Sequence, residues 1–302
     1  MVEGGPLLNM LSLAAIKYRN VLTEFGGPIV RICSAPFSIY GRNTFQANAF
    51  LAPGLIPRRP PHELYGDSDG TGSSEHPVVA RYMAVSEALE RWAFHVEYDG
   101  PHSKKYGFDV DRSSNGMAAF PGVFKSQSRA RARLEALERL ALISWWDGRI
   151  GATPTACSFA GIQALRLHHP ASFGEVIVVY RKSRSGHVSY GHAAGESVAG
   201  ATAQAIVELA RNEFVVTYHK LRGGSSPHHF FERRCLYFAS PEGHEEFLAK
   251  IESRPSKPVP SWDPVFDGEI PGPWSKYATV WRTALRMPTQ DFLDRRLNFF
   301  FW

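Results

Sequence analysis

Cysteine is scarce in this chain of 302 residues. Cys33, Cys157 and Cys235 are odd in number and far apart in sequence, so no disulfide framework is expected and a reducing compartment is the default. The thiols are expected to be buried. Long apolar runs are missing too. Nowhere do roughly 18 apolar residues follow one another, and the terminal Asn298–Trp302 is too short to cross a bilayer. Leu7–Ile16 is apolar, but Glu3 precedes it, no basic flank leads into it, and Lys17 and Arg19 close it. That pattern predicts an amphipathic helix and not a secretion signal, hence a cytoplasmic protein with no membrane partner. Metal-type spacing is lacking as well. His168-His169 and His228-His229 are adjacent pairs, whereas zinc motifs separate their ligands by about two to four residues.

What is present is a globular composition. With 44% hydrophobic and 13% aromatic residues the chain can bury a sizeable core, and irregular structure is expected only at the ends and near 253–272. The net charge of +5 raises the question of nucleic acid, since Arg58-Arg59 and Arg129, Arg131 and Arg133 could neutralise phosphates. The latter three are spaced two apart and spread around a helix, and no nucleic-acid module accompanies them, so no nucleic-acid partner is expected. Strand-like and helix-like stretches alternate, which predicts an α+β (mixed α/β) fold. Three helices carry the pattern. The first runs from about Val78 to Tyr98, with Pro77 suited to its first turn and Val79, Tyr82, Met83, Leu89, Trp92 and Ala93 forming a buried stripe. The second covers about Gln127 to Trp146, with Leu134, Leu137, Ala141 and Trp145 at helical spacing. The third spans about Val198 to Leu221, after the apolar strand Val176–Tyr180 and a hairpin turn at Ser185-Gly186.

The pentapeptide Glu-Ala-Leu-Glu-Arg occurs twice, at Glu87–Arg91 and Glu135–Arg139. Each copy follows a glycine-bearing loop and precedes a tryptophan. In a helix the two glutamates of one copy share a face, and the third helix adds Glu208 and Asn212 one turn apart. One such segment alone reads as a solvated surface. The duplication, the similar loops and the third acidic helix together point to faces that converge around a cation, for which Mg²⁺ with nucleotide phosphates is a common solution.

In order along the chain these motifs resemble the YcaO domain family. Gly70-Thr71-Gly72 stands for its Gly-Lys-Gly loop, followed by Met83, Glu87, Glu90 and Arg91 for Ser-x-x-x-Glu-x-x-Glu-Arg. Ser114-Asn115-Gly116, Gln127, Glu135, Glu138 and Arg139 match its second signature. Glu208 and Asn212, after Tyr190–Ala194, match its Glu-x-x-x-Gln helix. The likeness covers roughly 63 to 221 and continues more weakly through 277–302, so the resemblance implies an N-terminal extension over 1–62 and a single YcaO-like domain over 63–302 with a Pro-rich loop near 253–272. It implies ATP and Mg²⁺ in a cleft between acidic helices. Glu87, Glu90, Glu135, Glu138 and Glu208 would then hold Mg²⁺, the first four also acting by charge positioning, while Thr71, Ser74, Arg91, Ser114, Asn115, Gln127, Arg139 and Asn212 would contact nucleotide. Arg91 and Arg139 could instead brace these glutamates, and Asn115 could serve only as a turn residue.

The activity implied is phosphorylation of a backbone amide oxygen in a ribosomally made precursor peptide, giving an azoline, thioamide or amidine. A partner protein for peptide recognition and a homodimer or larger complex are implied with it. Four positions depart from the pattern: Thr71 replaces lysine, Met83 serine, Gln127 glutamate and Asn212 glutamine. Lysine to threonine removes a phosphate-directed charge, and glutamate to glutamine one that attracts Mg²⁺. The alternative expectation is therefore a YcaO-like pseudoenzyme that binds a peptide or partner without turning over ATP.

Overall fold

The computed structural model describes residues 12–56, 68–222, 229–294 and 296–301. The expectations resting on Leu7–Met10, Arg58, Arg59, Glu63, His228, Arg295 and Trp302 lie outside these residues. In chain order the first described elements are α1 (Ala14–Lys17), β1 (Ile29–Ile39), β2 (Arg42–Leu51), β3 (Gly70–Ser74), α2 (Pro77–Tyr98), β4 (Met117–Phe120) and α3 (Lys125–Trp146). They are followed by β5 (Ala152–Thr155), β6 (Gln163–Leu167), β7 (Glu175–Lys182), β8 (Val188–Gly195), α4 (Val198–Leu221), α5 (Phe230–Phe238), α6 (Pro241–Glu252), β9 (Pro264–Glu269) and β10 (Thr279–Leu285). The fold is α+β, and its three sheets are antiparallel throughout. No described helix is long and apolar enough to cross a membrane.

Two compact units divide the chain. The first holds Met1–Ala136 and Pro264–Arg286, the second Leu137–Asp263 and Met287–Trp302, so α3 lends its first half to one and its second half to the other. In the first unit β1 and β2 make a hairpin closed by Tyr40 and Gly41, whose φ of 46° and 83° give the turn a twist matching the strands. β3 pairs with the far side of β2, giving the order β1-β2-β3. A second sheet, β4-β10-β9, completes the unit. β9 places a strand inside the stretch expected to be loop, while Pro258-Val259-Pro260 is irregular as expected.

Helix α2 packs on β3 so closely that side chains decide which residues face the strand. A Cβ on Gly70 would lie 2.1 Å from the Ala84 carbonyl oxygen, and one on Gly72 2.1 Å from that of Ala80. The buried face of α2 is accordingly Ala80, Ala84, Val85, Ala88, Leu89, Trp92 and Ala93. This corrects the expected stripe, because Val79 and Met83 are exposed. Small residues form the contact where strand and helix backbones nearly touch, and periodicity of large apolar residues misses them.

The second unit repeats this construction. Its sheet runs β5-β6-β7-β8, and α4 lies on β8 with Gly191 in the tight position, its absent Cβ 2.1 Å from the Ala205 carbonyl oxygen. Its core is aromatic. Trp145, Tyr190, Phe238, Phe247 and Phe300 contact one another with ring centroids between 4.7 and 6.2 Å, a geometry worth more than area burial alone. The aromatic residues near the C-terminus are thus part of the core of their own unit. The three thiols are free; contrary to expectation only Cys235 is buried, while Cys33 is exposed on β1.

Candidate functional site

An edge strand leaves every second backbone N–H pointing away from its sheet, and such a donor needs a partner if it is buried. In this fold those donors explain where Glu87, Glu90 and Glu138 go. On β3, at one edge of its sheet, the Thr71 N–H donates to Glu87 Oε2 over 3.0 Å, and the Thr71 hydroxyl donates to the same oxygen over 3.0 Å. The other oxygen, Glu87 Oε1, meets Arg91 at 3.4 Å. Glu90, one helical turn on, accepts the N–H of Ala119, which lies on β4, the edge of the second sheet. One face of α2 therefore braces two sheet edges.

In the second unit β8 is the edge strand, and the same rule applies. Glu138 accepts the Ala194 N–H at 2.9 Å and holds His192 Nδ1 at 2.7 Å. Asn212 Oδ1 accepts the Tyr190 N–H at 3.0 Å, and the Cys235 thiol is buried, which pushes its pKa well up. Arg139, next to Glu138, is buried beneath the rings of Phe292 and Phe301, 4.7 and 5.3 Å from their centroids. Glu208 pairs at 2.7 Å with Arg211, three residues along α4. Glu135 is half-buried on the part of α3 that belongs to the first unit.

The remaining candidates occupy turns. Ser74 Oγ accepts the His76 N–H at 3.2 Å at the entry to α2, and Gln127 Oε1 turns back to the Phe124 N–H at 3.4 Å at the start of α3. Asn115 sits in a loop built on Asp111, whose Oδ1 accepts both the N–H and the hydroxyl of Ser113 at 3.2 and 2.9 Å. The Asn115 N–H donates to Ser113 Oγ at 3.2 Å. The Ser114 carbonyl takes the Met117 N–H at 3.2 Å, and Gly116 closes the turn at φ 78°.

Two buried arginines, Arg282 in the weaker closing likeness and Arg234 outside every motif, hold loops in place. Arg282 of β10 is fully buried over the Phe108 ring and donates to the carbonyls of Tyr106, Asp111 and Ser113 at 3.0, 2.6 and 2.8 Å, which fixes the Ser114-Asn115-Gly116 loop. Arg234 of α5 is also fully buried and donates to the carbonyls of Phe292, Asp294, Arg296 and Phe301 at 2.8 to 3.1 Å. The available signal was a charge inside an otherwise apolar or aromatic segment, which demands a buried partner.

Glu90 carries a strongly displaced acid. Although part of its side chain reaches the surface, burial of the carboxyl pushes it up to about 8; Glu87 beside it raises it further, while Arg91 and the Ala119 N–H oppose the shift. A folded-state value above the unfolded one means the native protein holds an extra proton between the two, so stability is full below 4.5 and is lost as pH rises towards about 8. Denaturant midpoints followed across that window should fall with rising pH, and Glu90→Gln should flatten the slope. An unchanged slope in that variant would assign the dependence elsewhere.

Mg²⁺ takes hard oxygen donors with free lone pairs. Here Glu87 and Glu138 are engaged by backbone and side-chain donors, Glu208 by Arg211, and Glu90 favours its protonated form. Among the described residues no three His, Cys, Asp or Glu side chains are gathered so as to hold a metal ion. A cavity of about 420 Å³ beside the β6–β7 turn, lined by Arg166, His168, His169 and Glu175 among others, includes none of the motif residues; there Arg166 is closed on Glu175 by two 2.7 Å bonds. No protein-family model matches the chain, and a search of curated proteins finds no match.

Proposed function

We propose that this chain is a YcaO-like scaffold that binds a peptide or partner protein without turning over ATP. The observation that carries this reading is the double bond from Thr71 to Glu87. At the position where the resemblance places a phosphate-directed lysine, the residue present ties down a glutamate that would otherwise face a cation. Glu90, Glu138 and Asn212 are committed to edge strands in the same manner. The acidic side chains thus stabilise the architecture that the resemblance implies, and their structural work accounts for their spacing without a nucleotide.

A second reading, ATP-dependent phosphorylation of a peptide amide oxygen, is favoured by one specific feature. The carboxyl of Glu90, lying at about 8 beside Glu87, marks a pair whose ionised form lacks full compensation, and a bound cation would supply it. Incubation with Mg-ATP and peptides rich in Cys, Ser and Thr separates the two. The scaffold reading expects no ADP release above that of buffer. ADP formed in step with a mass change of the peptide would establish the enzyme.

A further inference from the structure

The first sheet treats its two edges differently. The β3 edge is braced by Glu87, but the β1 edge is not. Val21 takes the Ile29 N–H at 2.9 Å, and Leu22 bridges Ile29, so the start of β1 is covered. Beyond it the strand runs on to Ile39 with Val30, Arg31 and Cys33–Pro36 exposed. The register of the hairpin says which amides point outwards. Ile39 and Arg42 flank the two-residue turn as a hydrogen-bonded pair, so alternate pairs Phe37–Thr44, Ala35–Gln46 and Cys33–Asn48 face inwards to β2. Ile32, Ser34, Pro36 and Ser38 therefore face outwards. Among the described residues no backbone or side-chain partner takes the N–H of Ile32 or Ser34.

Native edges are usually blunted by proline, acidic or basic side chains facing inwards, or a covering segment. Pro36 blunts the distal part of this edge by lacking an N–H, and leaves Ile32 and Ser34 as an accessible stretch next to it. Charge selects the occupant. The stretch 28–51 contains Arg31 and Arg42 and no Asp or Glu, and both arginines fall on the same face of the hairpin as Cys33, Ala35 and Phe37. We propose that the β1 edge from Val30 to Pro36 is a docking surface for an extended acidic peptide segment, which adds as a further strand by main-chain bonds to Ile32 and Ser34 and places carboxylates over Arg31. This rests on the scaffold reading and supplies it with a surface: main-chain pairing gives affinity and alternate side chains give selectivity.

Pro36 also shows how to test it, since it proves that an outward position of β1 accepts proline. Ser34→Pro removes one outward N–H and leaves the ladder to β2 intact. A fluorescent decapeptide alternating glutamate and valine is the probe, with its lysine–valine counterpart as control, and amide exchange at Ile32 and Ser34 as the local readout. The acidic peptide is expected to slow exchange at both amides, to bind about tenfold more weakly to Ser34→Pro, and to outcompete the lysine peptide. Arg31→Glu, which leaves the backbone untouched, should reverse that preference and keeps the test valid should Ser34→Pro fold poorly. Binding indifferent to both variants, or exchange at Ile32 and Ser34 unaltered by peptide, overturns the proposal; so does a dimer that Ser34→Pro dissociates, which would give the edge to a second copy. ADP release with Mg-ATP would overturn the scaffold reading alone and leave the result at Ile32 and Ser34 standing.

Discussion

Arg234→Ala is expected to lower the stability of the second unit by on the order of 3–5 kcal/mol, a drop in Tm of roughly 10 °C. The guanidinium is fully buried and donates to four carbonyl oxygens, those of Phe292, Asp294, Arg296 and Phe301. Burial lowers it to about 10, with Arg296 adding to the shift and Asp294 opposing it, so it remains charged near neutrality. Truncation leaves these carbonyls buried without a donor and opens a cavity under Phe230 and Phe299, whose rings flank the group at 4.4 and 5.7 Å. The segment 292–301 should then detach. Differential scanning calorimetry reads the first effect, and proteolysis near the C-terminus reads the second. A fall below about 1 kcal/mol would mean that Phe300 and its aromatic neighbours hold the segment unaided.

Arg282→Ala should have a comparable effect on the first unit, about 3–5 kcal/mol, but with a different local consequence. Three carbonyls converge on this side chain from Tyr106, Asp111 and Ser113. Their release should loosen the Ser114-Asn115-Gly116 loop and speed amide exchange at Asn115 and Met117, whose N–H groups bond within it at 3.2 Å each. Arg282→Lys should recover only part of the loss, because the three N–H groups of an ammonium radiate from one nitrogen and lack the spread of the planar guanidinium that meets all three carbonyls. Full recovery by lysine would show that charge alone matters at this position.

The contrast between these arginines and the twin pentapeptides explains how much the sequence disclosed. Helix extents were legible: α2, α3 and α4 begin and end within about two residues of the limits set by apolar period and Pro77. The hairpin at Ser185-Gly186 was legible for the same reason, since Gly186 adopts φ 85°. The buried face of α2 was not, because glycines on β3 let alanines approach, and alanine carries little weight in a periodicity argument. The motif residues were correctly singled out, yet their partners were invisible. Nothing in Glu-Ala-Leu-Glu-Arg states that Glu87 meets Thr71, that Glu90 meets Ala119, or that the second copy uses Glu138 on a strand over fifty residues away. The duplicated pentapeptide also diverges in use: Arg91 pairs with Glu87 at a partly exposed surface, whereas Arg139 is buried under Phe292 and Phe301. Identical local sequence, placed in different surroundings, leads to different chemistry.

Edge strands need their outward amides satisfied, and under the proposed scaffold reading this need fixes Glu87, Glu90 and Glu138. Thermal unfolding with and without Mg-ATP, in the natural chain and in a Glu87→Gln, Glu135→Gln double variant, tests it most directly. The expected result is a midpoint that Mg-ATP moves by less than about 1 °C in either protein, with the double variant less stable at the outset. A rise of several degrees with Mg-ATP in the natural chain, abolished in the double variant, would contradict it and restore these side chains to a nucleotide site.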